Sequence, residues 1–226
     1  MLNTDTRITP DHTLAHLSVT RAGASRVFYR HGLDFCCHGQ VSLRDACAAE
    51  QFDAQALIAE IEGEERTDES FERWDDKPLE ALIDHLLARF HEPHRAELPR
   101  LFEMATKVEA VHGEKASCPK GLASHLHKMA DELELHMQKE EQVLFPIIRA
   151  GQGRMATIPV QALEREHRDH GENLTRLRQL AHDFVPPEEA CGTWRALYLG
   201  LAELESELMQ HIHLENNVLF PRALRS

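Results

Sequence analysis

No stretch of this 226-residue chain is apolar for anything near the ~20 residues that a membrane-spanning helix needs. The first residues, Met1-Leu-Asn-Thr-Asp-Thr, carry neither the basic nor the apolar region of a signal peptide. Positive charge is scarce: 25 Lys and Arg stand against 38 Asp and Glu, a formal net charge of −13. That balance disfavours nucleic acid and anionic membrane surfaces as partners. Cysteine is limited to five residues, an odd number. The expectation is a cytoplasmic protein in a reducing compartment, without structural disulfides. Hydrophobic residues at 42% and charged residues at 28% give an ordinary globular balance, enough for one large domain or two small ones. One residue type is in excess. There are 16 His, more than packing requires.

The histidines fall in a repeat. His136-Met-Gln-Lys-Glu140-Glu-Gln-Val-Leu-Phe-Pro146 recurs 75 positions later as His211-Ile-His-Leu-Glu215-Asn-Asn-Val-Leu-Phe-Pro221. Upstream of each copy, Phe90-His91-Glu-Pro-His94 aligns with Glu166-His167-Arg-Asp-His170 at an offset of 76, and Leu98, Arg100 and Leu101 align with Leu174, Arg176 and Leu177. On an α-helix, positions i and i+4 share a face, so each His-x3-Glu unit aims an imidazole and a carboxylate the same way. The unit "His helix, then His-x3-Glu helix" occurs twice. It predicts four helices with an internal pseudo-two-fold relation and six candidate ligands: His91, His136, Glu140, His167, His211 and Glu215.

The chain before the repeat reads as a small helical module over 1–65. A helix over 12–30 ends at Gly32, a turn over 33–40 carries Cys36 and Cys37, and Ser42 caps another helix with Asp45 at its third position. A third helix covers about 53–62. This module is too small for much of a core of its own, and it is expected to move relative to the helices beyond residue 78. A polar linker covers 66–77. From Pro78 the helical period takes over, with helices expected from 78, over 121–149, over 159–184 and over 188–222. Short loops between them fit an up-down-up-down four-helix bundle. Pro93 and Pro99 are awkward inside a helix and mark kinks. Pro146 and Pro221 each fall six residues past a repeat Glu.

A lone His on an apolar stripe reads as a core residue. Four His and two Glu on the inward stripes of four helices do not, because burying them without partners costs several kcal/mol each. Imidazole with carboxylate and no thiolate fits iron, manganese or zinc, and helix-bundle carboxylate sites of this kind are mostly di-iron. Around the six, Glu132 and Glu207 share the faces of His136 and His211 and are candidates to orient them; Glu166, His94 and His170 are further neighbours. Glu141, Glu164 and Glu205 read as surface charges, His213 as facing away, and His85 as outside the site. Cys36-Cys37 is a second chemical signal, either reactive thiols or small apolar residues in a turn. Cys47, Cys118 and Cys191 read as inert.

Taken together, Leu33-Asp-Phe-Cys-Cys37, Arg89-Phe-His91-Glu-Pro-His94, the two Val-Leu-Phe-Pro repeats, Glu166-His167, Thr193-Trp194 and Arg222-Ala-Leu224 resemble the iron–sulfur cluster repair di-iron proteins, also called Repair of Iron Centers proteins. The similarity covers nearly the whole chain. It implies an all-α fold, a hemerythrin-like bundle after a small Cys-containing domain. It also implies two Fe ions per chain, oxo- or hydroxo-bridged, with His91, His136, His167 and His211 as ligands and Glu140 and Glu215 as bridges. The function implied is restoring iron–sulfur clusters damaged by oxidative or nitrosative stress. In that family the Cys pair is commonly followed by Gly-Gly. Here His38-Gly39 follows, which alters the turn or adds a ligand beside the thiols.

Three functions compete. The first is a repair protein that supplies iron to damaged iron–sulfur proteins, with the Cys-bearing module docking to the client. The second is an enzyme whose metal pair binds and reduces nitric oxide or oxygen, with Cys36, Cys37, Glu132 and Glu166 as candidate catalytic groups. The third is a module that binds or senses oxygen or nitric oxide. Neither nucleic acid nor membrane is expected as a partner, and a homodimer is left open. Iron transfer to a cluster protein marks the first reading; reductant-dependent turnover of nitric oxide marks the second.

Overall fold

The computed structural model describes residues 7–66 and 71–226; residues 1–6 and 67–70, the latter inside the expected linker, lie outside it. Among the described residues the chain is helical, and its β-structure is an isolated bridge between Thr13 and Ser42. No described helix is long and apolar enough to cross a membrane. The chain gathers into two compact units. One holds residues up to Lys77 together with Ile212–Pro221; the other holds Pro78–His211 and Arg222–Ser226.

In the first unit, α1 (Leu14–Thr20) and α2 (Ala24–Arg30) replace the single helix expected over 12–30. The break is at Gly23, whose φ of 77° is left-handed and where a Cβ would run into the Glu64 side chain. Only glycine meets both conditions cheaply. Ser42 caps α3 (Leu43–Glu50) as the sequence indicates, its Oγ accepting from the Asp45 N–H at 3.1 Å. Asp53 caps α4 (Ala54–Glu65) through the Gln55 N–H. Leu17, Val27, Phe28, Phe35, Leu43 and Ile61 are fully buried, each contributing roughly 1.5–3 kcal/mol of hydrophobic stabilisation. The core expected of 1–65 alone is larger than its length indicates, because buried Ile212, Val218, Leu219 and Phe220 share this unit.

The second unit holds the bundle helices except the stretch Ile212–Pro221 of the fourth. Its first helix runs through α5 (Leu79–Leu86), a π-helical turn at Leu87–His91 and α6 (Glu92–His112). Its second runs through α7 (Leu122–Lys139), a π turn at Glu140–Leu144 and α8 (Phe145–Arg149). The third is α9 (Thr157–Leu180). The fourth is unbroken through α10 (Gly192–Leu214), a π turn at Glu215–Leu219 and α11 (Phe220–Ala223). It starts four residues later than the sequence indicates, and the loop before it is tied down by the Arg195 guanidinium on the carbonyls of Glu188 and Ala190, at 2.8 and 3.1 Å.

The prolines explain the π turns. Pro93, Pro146 and Pro221 each stand two residues past the end of one. A proline inside a helix lacks an N–H and its ring collides with the carbonyl four residues back. In all three cases that carbonyl, of Arg89, Gln142 or Asn217, lies within the widened turn. A π turn therefore absorbs the proline without ending the helix, and such turns recur at functional sites. Two of the three begin at the repeat glutamates and the third ends at His91. Pro99 sits inside α6 with no such turn beside it.

Candidate metal centre

His91, His136, Glu140, His167, His211 and Glu215 are the six residues that the repeat singled out, and each is at most 1% exposed. They form two groups. One nitrogen or oxygen from each of His91, Glu140, His211 and Glu215 lies within 4.8 Å of the others, and the same holds for His136, Glu140, His167 and Glu215. Both groups use both carboxylates. Glu215 reaches its place by helix continuity, one turn past His211 on the same unbroken helix.

The distances carry chemical information. His91 Nε2 lies 3.1 Å from His211 Nε2, and His136 Nε2 lies 3.0 Å from His167 Nε2. Glu140 spans the two pairs, with Oε2 3.4 Å from His91 Nε2 and Oε1 3.5 Å from His136 Nε2. Two nitrogens bound at ~2.1 Å in adjacent positions of an octahedron stand ~3.0 Å apart, whereas a tetrahedron separates them by ~3.4 Å. The imidazole pairs match the octahedral spacing. Two carboxylates buried to 0% exposure beside four buried imidazoles also form a donor set that a cation pair neutralises. The residues present therefore fit a dinuclear site.

Of the two carboxylates that orient the imidazoles, Glu166 is among the neighbours that the sequence singles out and Glu141 is not. His91 Nδ1 is 2.8 Å from Glu141 Oε1, and His136 Nδ1 is 3.0 Å from Glu166 Oε2. Glu141, read as a surface charge, thus backs a candidate ligand, and Arg95 braces it from the other side at 2.8 Å. Burial pushes the Glu141 carboxyl up, but the bonds from Arg95 and His91 hold it below its ordinary range. Glu166, held by His136 and Lys139, is pulled down to about 2. Glu132 and Glu207 turn elsewhere. Glu132 accepts from Asn173 Nδ2 at 2.8 Å, and Glu207 pairs with Arg89. A position one helical turn before a ligand shares its face but points along the axis, and cross-helix neighbours reach the ring edge first. Glu205, also read as a surface charge, is 4% exposed and is gripped by Arg178.

Glu132 and Glu166 do share a wall. They line a cavity of about 330 Å³ with Lys139, Asp169, His170 and Asn173. His170 is 5% exposed, its ring 5.0 Å from that of His136, and burial pushes it down to about 3, so it is neutral at physiological pH. His94 is placed similarly, its ring 5.4 Å from His211. Neither joins the two ligand groups. His213 faces away from the site as expected; it is buried against Phe35 and accepts from Asn217 Nδ2 at 3.0 Å.

The two halves of the repeat are not equal around the site. The repeat partner of Glu166 is Phe90, which stacks flat on His211 with centroids 5.2 Å apart and a 3° tilt. The repeat partner of Glu141 is Asn216, whose Nδ2 donates to the Cys36 carbonyl at 3.1 Å. His91 and His136 each carry a carboxylate on Nδ1. None of the five cysteines is in a disulfide. Cys36 is buried and Cys37 half-buried, with sulfurs 3.6 Å apart, and the hydrogen bond with Cys37 together with burial pushes the Cys36 thiol well up.

Residues 82–223 match the hemerythrin HHE cation binding domain, and residues 10–65 match ScdA_N, a domain of unknown function. The iron-sulfur cluster repair protein YtfE of Yersinia pestis (strain Pestoides F) is 46% identical over 215 residues, which span 95% of this chain and 97% of that protein. The protein of the same name from Yersinia pseudotuberculosis serotype IB (strain PB1/+) matches with the same identity and coverage.

Proposed function

This chain belongs to the hemerythrin HHE cation-binding family and carries the ScdA_N domain ahead of it, and from that premise we propose that it repairs damaged iron–sulfur clusters by supplying iron from a dinuclear centre. The observation that carries the reading is the pair of ligand groups that share Glu140 and Glu215. His91 and His211 would hold one iron, His136 and His167 the other, with the two carboxylates bridging. When bound, the iron pair supplies transferable ferrous iron and a redox-active centre.

The protein's own residues set how tightly that iron is held. Glu141 and Glu166 keep Nδ1 of His91 and His136 protonated, so Nε2 is the atom presented to the metal. The all-imidazole and carboxylate donor set is harder than the sulfide and thiolate of a cluster, which favours transfer toward the client. Damaged iron–sulfur proteins are the partners under this reading, by analogy with the repair function for which the Yersinia relatives are named.

The test is to load the protein with iron-57 and incubate it with a cluster protein stripped of part of its iron. The reading expects iron-57 in the restored client and recovery of its activity, with His136→Ala and His211→Ala both failing to hold iron or transfer it. Full iron retention in either variant removes the ligand assignment. Consumption of nitric oxide by the reduced protein with no iron transferred would move the function to the enzyme.

A further inference from the structure

We infer that the turn before α3 is a second metal site, in which Asp34, Cys36 and Cys37 chelate one borderline-soft divalent cation, Zn²⁺ or Fe²⁺, and leave its fourth position open. One ligand atom from each of these three residues lies within 4.8 Å of the others. The spacing is close to that of a tetrahedral site. Sulfurs bound at ~2.3 Å stand ~3.8 Å apart at the tetrahedral angle, and a sulfur and a carboxylate oxygen stand ~3.5 Å apart. Here the two Sγ atoms are 3.6 Å apart, and Cys36 Sγ is 3.2 Å from Asp34 Oδ1. A disulfide would need about 2.05 Å, so the two sulfurs are not bonded to each other.

The turn is held in that shape before any cation arrives. Asp34 Oδ1 accepts the N–H groups of Cys36 and Cys37 at 3.1 and 2.9 Å, which fixes the carboxylate against both thiols. Asn216 Nδ2 donates to the Cys36 carbonyl at 3.1 Å, and Asn217 Nδ2 to the Phe35 carbonyl at 3.3 Å. Gly39 completes the turn; a Cβ there would collide with the Phe35 carbonyl and the Ala15 side chain. The other carboxylate oxygen, Oδ2, takes His38 Nδ1 at 2.6 Å. His38 is exposed and acts as a positioning residue for Asp34, the arrangement by which a hydrogen-bonded carboxylate is oriented toward a metal.

The chemistry balances without an oxidant. Two S–H bonds break, two metal–sulfur bonds form, the carboxylate binds as it stands, and two protons pass to buffer. Three protein ligands leave the fourth position to water or an incoming ligand, in contrast to closed structural sites with four. Half-buried Cys37 puts that open position within reach of an incoming thiolate. The bundle centre has no sulfur donor, so the two sites are spectroscopically distinct. Chelation here does not depend on whether the bundle serves repair.

The experiment uses the full chain, stripped of metal, reduced with a phosphine and titrated with Co²⁺. The expected result is one equivalent of cobalt with thiolate-to-metal charge-transfer absorption and the intense visible bands of four-coordination. The Cys36→Ser/Cys37→Ser variant loses both. Asp34→Asn keeps an acceptor for the two N–H groups but not the charge, and it should weaken cobalt binding at this site 10–100-fold with the helix content unchanged. His211→Ala leaves the thiolate bands intact. Absence of the charge-transfer band in the parent, or its survival in the double serine variant, overturns the site. Failure of cluster restoration with the band intact would instead count against the repair reading alone.

Discussion

Replacing Glu166 tests whether the outer carboxylates set iron affinity. Glu166 Oε2 sits 3.0 Å from His136 Nδ1, and its Oε1 is bonded to Lys139. Its carboxyl is pulled down to about 2, with the His136 bond the larger cause and Lys139 the next. The carboxylate is partly solvated, and water screens its coupling to His136. Losing a carboxylate that backs a ligating imidazole costs about 10–100-fold in metal affinity, or roughly 1.4–2.7 kcal/mol. Glu166→Gln keeps an amide oxygen that still accepts from Nδ1–H and should fall at the lower end of that range. Glu166→Ala leaves the ring without this partner and should fall at the upper end. Competition with a graded ferrous chelator should show two release steps in both variants, with the iron of His136 and His167 leaving first. Glu141→Ala should reverse the order, loosening the iron of His91 and His211. A release curve for Glu166→Ala that overlays the parent would refute the role given to these carboxylates.

Glu140→Ala and Glu215→Ala should behave alike, each weakening magnetic coupling between the irons and lowering iron content, because both ligand groups use both residues; one silent substitution refutes symmetric bridging, and magnetic susceptibility with metal analysis decides it. Gly23→Ala should cost about 1–3 kcal/mol in urea unfolding, since it places a Cβ at a left-handed φ of 77° and against Glu64; an unchanged midpoint would mean that the α1–α2 break is not rigid. His170 is held near 3 by burial, below its ordinary 6.5. Between those values the unfolded chain binds a proton that the folded chain does not, so stability falls as pH drops from about 6.5 toward 3. His170→Gln in metal-free protein should flatten the pH dependence of the urea midpoint between pH 6.5 and 5, and a slope unchanged from the parent refutes the assignment.

The sequence alone was enough to define the bundle and the six candidate ligands, because both are written as periodicity. His-x3-Glu occurs twice at a 75-residue spacing, and the apolar stripe on each helix places those side chains inward. Local signals were equally legible at Ser42, whose capping role needs only three neighbouring residues. The prolines were legible as disturbances but not as π turns, since a widened turn and a kink answer the same steric conflict. What the repeat could not convey is where it fails. Glu166 and Phe90 occupy equivalent positions, yet one orients His136 and the other stacks on His211. Glu141 and Asn216 are likewise equivalent, yet one backs His91 and the other holds the cysteine turn. Those roles belong to pairs separated by tens to well over a hundred residues, and hydrogen-bond reach across helices is decided by packing, not by spacing along the chain. The choice of Glu166 over Glu132 behind His136 was made by tertiary structure alone, whereas Asp34 meets Cys36 and Cys37 through a turn of neighbouring residues.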